Sequence, residues 1–288
     1  MKIFLPAIVA VVASASCTPD AIAIDILNPA VHCTEDTAKI SSAIKEIAAA
    51  KNTGDRYDAA IRIFEGCAED RSFETDSLWC LRINAETFTP LSFLNTVKAL
   101  VAAADSPDAD WRDFAAEYEK VSCRKGEDAG FPSVMWHAAD WISDNVYRGN
   151  LKEMTENYSG GIFKTRSLDY LSRNRDKFAP LSNEEVFGKV EMTEMGFKVH
   201  RIPYLKRQYI SRNDVDSDLT TGDIIIMLSN DESKDIYRIG YVVERDGKKY
   251  LAGIDPRQKR VVIDSEPLER IFKTDAKHFF GFRMLRWQ

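Results

Sequence analysis

The residues of this chain best suited to nucleophilic or acid–base chemistry are its five cysteines and four histidines. Cys67, Cys80 and Cys123 lie well inside the chain, and a thiol beside a histidine can act as a nucleophile. The interpretation we favour for all three is a disulfide or a small buried side chain. His137 and Asp140 lie one helical turn apart, where they could form a functional pair or a local hydrogen bond.

Motifs for a metal or a cofactor are absent from the sequence. It contains no His-Glu-x-x-His pair, no glycine-rich phosphate loop and no Gly-x-Ser-x-Gly turn. The remaining histidines, His32, His200 and His278, are scattered and form no ligand spacing. We therefore expect neither a cofactor nor a metal.

Aromatic residues cluster around the same region as His137. Trp136, Trp141 and Tyr147 could line a groove that stacks on a sugar or a peptide. A role in the hydrophobic core is an equally good interpretation of Trp141. The sequence leaves both interpretations open.

Helical patterns dominate the chain up to about residue 185. Thr89 is a good N-cap and Pro90 suits the first position of a helix, whose positive end would stabilise a thiolate if it carried one. The predicted helices cover about 34–51, 55–65, 90–104, 111–118 and 134–144.

Strand-like runs with turn signals between them predominate after Val186. Helices followed by antiparallel strands predict an α+β fold, and we expect one domain over residues 34–288. The predicted strands are Val190–Met192, Phe197–Ile202, Asp223–Leu228, Ile236–Glu244, Tyr250–Ile254, Arg260–Ile263 and Phe279–Leu285.

The first residues have the pattern of an export signal rather than of a folded domain. Lys2 precedes a short apolar run and a small-x-small site, so residues 1–16 are predicted to be an export signal and 17–33 a tether. Cys17 follows a partial lipoprotein box. The mature protein would be either periplasmic or anchored to the membrane by a lipid on Cys17.

Cysteine parity agrees with export to an oxidising compartment. Without Cys17, the four cysteines Cys33, Cys67, Cys80 and Cys123 could form two disulfides, in any of three pairings.

Composition describes an ordinary soluble globular protein, with 44% hydrophobic and 29% charged residues. The net charge of −6 argues against nucleic acid as a general partner.

Several strings, in this order and spacing, resemble bacterial exported N-acetylmuramoyl-L-alanine amidase-like proteins of the NlpC-like, papain-fold superfamily of cell-wall peptidases. The resemblance covers about residues 60–286. It implies a helical N-terminal half packed on an antiparallel C-terminal sheet or half-barrel. The strings are Leu81–Asn84, Asp140–Ile142, Asp144–Asn145, Thr221–Ile225, Val261–Ile263 and Gly281–Arg286.

The resemblance also implies where a catalytic thiol and its histidines would lie, and this chain departs from the pattern at each place. Pro90 occupies the nucleophile position, and Asn95 replaces a glutamate that ends the same motif. Arg238 occupies the position of the general base, and Gly253 that of a further histidine. Proline cannot act as a nucleophile and arginine stays protonated, so the mechanism of the family is not expected here.

Arg238 has two interpretations if it faces the former cleft. It could form an internal ion pair with an acid such as Asp255 or Glu86, which is the interpretation we favour. It could instead bind a carboxylate of a cell-wall peptide as a two-pronged donor.

We therefore expect a catalytically inactive protein that binds peptidoglycan fragments or an envelope partner. The candidate cleft residues are Trp136, His137, Asp140, Arg238 and Asp255. One alternative is an active amidase or endopeptidase with a rearranged thiol site. Another is a structural or protective protein of the envelope, since fold alone does not determine function.

Overall fold

A computed structural model describes residues 22–24, 31–70, 81–124, 130–159, 162–232 and 234–288. The predicted export signal 1–16, Cys17 and Cys80 lie outside the described residues. Within the predicted tether, strands β1 (Ile22–Ile24) and β2 (Val31–Cys33) pair in antiparallel fashion. No helix in the described part of the chain is long and apolar enough to cross a membrane.

The first half of the chain forms a helical layer. One of its helices begins at Pro90 because the Thr89 side chain accepts a hydrogen bond from the Ser92 amide, and the Ser92 side chain accepts one from the Thr89 amide. Three strands in this half, β3 (Ala68–Glu69), β4 (Thr87–Phe88) and β5 (Leu151–Glu153), join the main sheet. The helices are α1 (Thr34–Ala48), α2 (Thr53–Ile63), α3 (Pro90–Ala103), α4 (Trp111–Ser122), α5 (Ala138–Tyr147) and α6 (Glu156–Ser159).

The second half supplies most of the sheet and, among its described residues, four more α-helices. In chain order these elements are β6 (Phe163–Arg166), α7 (Tyr170–Arg173), α8 (Glu184–Gly196), β7 (His200–Pro203), β8 (Leu205–Lys206), α9 (Asn213–Asp218), β9 (Ile224–Ser229), β10 (Ile236–Arg245), β11 (Lys248–Asp255), β12 (Arg260–Ile263), α10 (Leu268–Thr274) and β13 (Phe279–Trp287).

The main sheet contains nine of the described strands, in the order β4-β3-β12-β11-β10-β9-β13-β5, with β8 paired to β13. Its pairs are antiparallel except for β3 and β4, which run parallel. The fold is therefore a mixed α+β arrangement with a large, mostly antiparallel sheet, in agreement with the prediction from the order of elements.

Both faces of the sheet are covered, so its central strands are apolar on both sides. In β9, Ile224 and Ile226 pack into the core beneath the helical layer, whereas Ile225 and Met227 belong to a second core on the other face. Tyr241 on β10 donates a hydrogen bond to the Leu94 carbonyl oxygen of α3 at 2.7 Å. This contact connects the helix that begins at Pro90 to the centre of the sheet.

The predicted strand at Val190–Met192 is wrong, because these residues lie inside α8. The side chain of Asn183 accepts hydrogen bonds from the amides of Glu185 and Val186 and so starts a helix there. The strand predicted at Phe197–Ile202 begins only at His200. The predicted change to strands near residue 186 therefore falls inside α8, and α9 and α10 follow it.

Candidate binding groove

The start of α3 opens onto a groove of about 570 Å³. Thr89, Pro90 and Ser92 all line it, so the positive end of the α3 dipole faces this space. Pro90 is half-buried in the wall. A nucleophile at this position would face the groove, but proline offers no reactive group.

Four further segments form most of the groove. They are residues 81–87, which lead into β4, the turn before α5, the short helix α7 with the chain after it, and the residues that lead into β10. The lining is mixed, with aromatic, amide and charged side chains. Residues of these walls include Arg82, Asn84, Asn95, Trp136, His137, Tyr170, Phe178, Lys234 and Asp235.

The three candidate aromatic residues have different environments. Trp136 lines the groove; its indole nitrogen donates to the Phe131 carbonyl oxygen at 2.9 Å. Trp141 belongs to the core, with no exposed surface, and donates to the side chain of Asn95 at 3.0 Å. Tyr147 is 90% exposed and lies outside the groove. Of these three candidates, Trp136 is therefore the one that could stack on a ligand in the groove.

His137 lies in the groove wall, but its partner is not Asp140. Its Nε2 atom lies 2.7 Å from a carboxylate oxygen of the buried Glu194. The same carboxylate accepts from the amides of Leu171 and Ser172, at the start of α7. Burial acts to raise the pKa of Glu194, but these hydrogen bonds outweigh it and hold the pKa below its usual range.

The proposed pair of His137 and Asp140 is therefore wrong. Asp140 is buried and forms an ion pair with Arg124 instead. Burial raises the pKa of Asp140, and the Arg124 guanidinium opposes that rise. Asp140 does not line the groove, so it is a structural residue of α5.

Arg238 is sealed in the interior and does not line the groove. Its two terminal nitrogens donate to the two carboxylate oxygens of Asp264, at 2.8 and 3.0 Å. Asp255 lies farther away, at 3.8 Å from the guanidinium. An internal pair was expected, but its principal partner is Asp264 and not Asp255 or Glu86. The ligand-binding interpretation of Arg238 is wrong because the guanidinium is already occupied and inaccessible.

Asp264 and Asp255 share the positive charge of Arg238 unequally. Burial raises the pKa of Asp264, while the guanidinium acts in the opposite direction. Asp255 accepts hydrogen bonds from the amides of Arg257 and Gln258, and so shapes the turn after β11. It does not line the groove.

Gly253 lies where two strands approach closely. A Cβ atom added to it would come within 2.6 Å of the Ile239 carbonyl oxygen. This spacing leaves no room for a side chain, so a histidine at Gly253 would require β10 and β11 to move apart.

The described thiols are remote from any catalytic arrangement. Cys67 and Cys123 are both free, so the predicted set of two disulfides among four cysteines is wrong for these two. Neither lines the groove. Burial raises the pKa of both thiols, that of Cys123 to about 12. A thiol with a raised pKa is a poor nucleophile at neutral pH because little thiolate is present.

Metal binding finds no support among the described residues, which contain no cluster of three or more potential metal ligands. Several groove residues were not predicted from the sequence, namely Arg82, Asn84, Tyr170, Lys234 and Asp235. Arg82 and Asn84 lie in the string Leu81–Asn84, but nothing in that string indicated a binding role, and the five residues come together only through the packing of distant segments.

The sequence matches a family model described as N-acetylmuramoyl-L-alanine amidase-like over residues 72–278. No curated protein matches the chain.

Solved structures of bacterial proteins share the fold. A Bacteroides uniformis N-acetylmuramoyl-L-alanine amidase is 23% identical with a TM-score of 0.70, covering 82% of this chain and 99% of that chain. A Bacteroides fragilis protein provisionally named a xylanase is 24% identical with a TM-score of 0.69, covering 79% and 99%. A Legionella pneumophila protein is 14% identical with a TM-score of 0.67, covering 88% and 94%. At these identities the likeness establishes the fold and not the reaction.

Proposed function

We infer that this chain, which belongs to the N-acetylmuramoyl-L-alanine amidase-like family, binds peptidoglycan stem peptides in its groove without hydrolysing them. The observation that carries the proposal is the start of α3. There the positive end of the helix faces an open groove, and its first residue, Pro90, has no nucleophilic side chain.

The residues around Pro90 support the proposal that the protein does not hydrolyse amide bonds. Amide cleavage of the kind expected for the family needs a thiolate and an imidazole that accepts and returns a proton. Neither Cys67 nor Cys123 lines the groove. The groove contains His137, whose Nε2 atom lies against the Glu194 carboxylate and not against a thiol. The groove can therefore hold a peptide, but neither described thiol faces it.

We further propose that the domain is a variant of the NlpC-like, papain-type fold. The support is the packing of α3 on an antiparallel sheet, through the hydrogen bond from Tyr241 to Leu94. In this proposal Pro90, Arg238 and Gly253 occupy the former positions of the nucleophile, the base and a second histidine.

The location proposed for this function is the bacterial envelope. The support is the apolar run after Lys2 and the partial lipoprotein box at Cys17. Mass spectrometry of the mature N-terminus would separate a lipid on Cys17 from simple cleavage after residue 16.

Purified muropeptides test both halves of the proposal. Chromatography with mass spectrometry should show no release of free stem peptide above a protein-free control. Calorimetric titration should detect binding of the same stem peptides. Protein-dependent release would overturn the inactive assignment, and absence of binding would overturn the ligand assignment.

A matched pair of variants locates the binding. Trp136→Ala removes an aromatic wall of the groove and should weaken stem-peptide binding at least ~10-fold. Tyr147→Ala removes an exposed aromatic side chain outside the groove and should leave the affinity unchanged. Equal affinities for the two variants would place the binding site elsewhere.

The alternative of an active enzyme with a rearranged thiol needs Cys67 or Cys123 beside a histidine. His137 is hydrogen bonded to Glu194 rather than to a thiol, which disfavours that alternative. A role in binding an envelope protein is the remaining candidate. This role would be favoured if the protein captured a partner from envelope extracts and free stem peptide did not displace that partner.

A further inference from the structure

A second cavity of about 280 Å³ adjoins the groove. We name it the side pocket; it shares His137, Tyr170, Lys234 and Asp235 with the groove. Ligand sites for drug-sized molecules span roughly 300–1,000 Å³. The side pocket is therefore the right size for one end of a ligand whose body lies in the groove.

Arg166 in the wall of the side pocket has an unused donor. Its side chain is buried, with 7% of the residue exposed, at the end of β6. The Nη2 atom donates to the Ser229 carbonyl oxygen at 2.6 Å. The Nη1 atom is buried and has no hydrogen-bond partner among the described residues. An unpaired buried donor of a charged group is costly, so this atom is suited to a negatively charged ligand.

Asp235 supplies a complementary unused acceptor in the same wall. Its Oδ1 atom is buried and likewise has no partner among the described residues. Its backbone carbonyl accepts from the Ser229 amide at 3.3 Å, so Asp235 and Arg166 are both attached to Ser229. No ion pair within 4.0 Å joins Arg166 to Asp235 in the described part of the chain.

Two other charged residues of the side pocket already have partners. Arg173 pairs with Asp169 at 2.8 Å, and Lys234 lies 3.7 Å from Asp231. Lys177 and Glu232 also line the pocket, but within its described lining only Arg166 and Asp235 carry a buried polar atom without a partner.

We propose that the side pocket binds the head group of an α-amino acid, with the carboxylate on Arg166 and the ammonium group on Asp235. A guanidinium is well matched to a carboxylate, and an ammonium group donates readily to a carboxylate oxygen. The inference rests on the proposed function for the rest of the ligand, a stem peptide lying in the groove. A peptide with a diaminopimelate residue offers such a head group on its side chain, whereas lysine offers only the ammonium group.

Calorimetry on the full chain with two matched tripeptides tests this pairing. The probes are L-Ala-γ-D-Glu-meso-diaminopimelate and L-Ala-γ-D-Glu-L-Lys. The first should bind at least ~10-fold more tightly, because it alone can satisfy both unused atoms. Arg166→Lys and Asp235→Asn should each remove most of that preference. Arg173→Gln deletes an exposed cation of the same pocket that is already paired, and should keep it.

A titration with free meso-diaminopimelate tests this inference separately from the proposed function. The Arg166 side chain is observed by nitrogen-15 NMR during the titration. Arg166-dependent binding of the free amino acid without binding of either tripeptide would support the side pocket and overturn the stem-peptide proposal. Tripeptide binding that both Arg166→Lys and Asp235→Asn leave unchanged would overturn the side pocket and keep the proposed function. An equal loss in Arg173→Gln would also overturn it, because general attraction would then explain the preference.

Discussion

The start of α3 and the middle of β10 differ in how their unusual residues are accommodated. Pro90 is half-buried in the wall of an open groove, and its neighbours Thr89 and Ser92 cap the helix. Arg238 is 3% exposed and holds Asp264 with two hydrogen bonds. One position remains available to a ligand, whereas the other has become part of the interior.

The two residues that the proposed function assigns to former catalytic positions therefore have opposite structural consequences. Proline at the first position of a helix needs no compensation, because the amide it lacks would have had no partner within the helix. A buried guanidinium does need compensation, because its charge must be paired. We therefore expect substitutions at Arg238 to affect stability and substitutions at Pro90 to affect the chemistry of the groove.

The largest effect is expected for Arg238→Met. It leaves the buried Asp264 carboxylate without its partner, which typically costs about 3–5 kcal/mol of unfolding free energy. Urea or guanidinium denaturation of the two proteins would measure the difference.

The matched control for Arg238→Met is the double variant Arg238→Met with Asp264→Leu. Replacing a whole buried pair by apolar residues is often close to neutral, so the double variant should recover most of the lost stability. A double variant no more stable than Arg238→Met would show that this pair is not the source of the loss.

Gly253→Ala is expected to cost about 2–3 kcal/mol. The new methyl group would lie 2.6 Å from the Ile239 carbonyl oxygen, so β10 and β11 must shift to accept it. The control is Gly188→Ala in α8, where the added carbon meets nothing within 4 Å. That variant should gain roughly 0.5–1 kcal/mol from helix propensity. Equal stabilities of the two variants would contradict the close approach of β10 and β11.

Local signals explain which parts of the molecule could be predicted from the sequence. The start of α3 was predictable because Thr89 and Pro90 carry a cap signal within two residues. The strand at Val190–Met192 is wrong because a short alternation of apolar residues resembles a strand. The deciding signal is the cap at Asn183, which starts a helix that includes these residues.

Long-range pairings explain the rest. Asp264 is 26 positions from Arg238 along the chain, and their contact depends on how β10, β11 and β12 pair. Glu194 is 57 positions from His137, so the nearby Asp140 was the more obvious partner in the sequence. The groove combines α3, the turn before α5, α7 and the entry to β10, which no spacing within one segment reveals.

A smaller, pH-dependent effect is expected for Glu194→Gln. The pKa of Glu194 lies below its ordinary value of 4.5 in the folded protein, because hydrogen bonds from His137 and Ser172 outweigh its burial. The resulting stabilisation is present above about pH 4.5 and is lost as the pH falls through the lower folded pKa. Glu194→Gln should therefore cost about 1–2 kcal/mol at pH 7, and the stabilities of the two proteins should converge as the pH falls below about 4.5. A difference that is constant with pH would exclude the ionised carboxylate as its source.

The smallest effect on the unfolding free energy, less than about 1 kcal/mol, is expected for Pro90→Cys. This variant tests whether the start of α3 can support a reactive group in the groove. A thiol at the first position of α3 faces the positive end of the helix, so its pKa should fall below the usual value of about 8.5. Alkylation by iodoacetamide, followed against pH with the unsubstituted protein as background, should show a new rapid reaction at neutral pH. Cys123, whose pKa burial raises to about 12, should stay unreactive in both proteins. Muropeptide hydrolysis should still be absent, because in the proposed function Arg238 stands in the position of the general base and cannot accept a proton. Rapid alkylation together with hydrolysis would show that Pro90 alone separates this protein from an active enzyme.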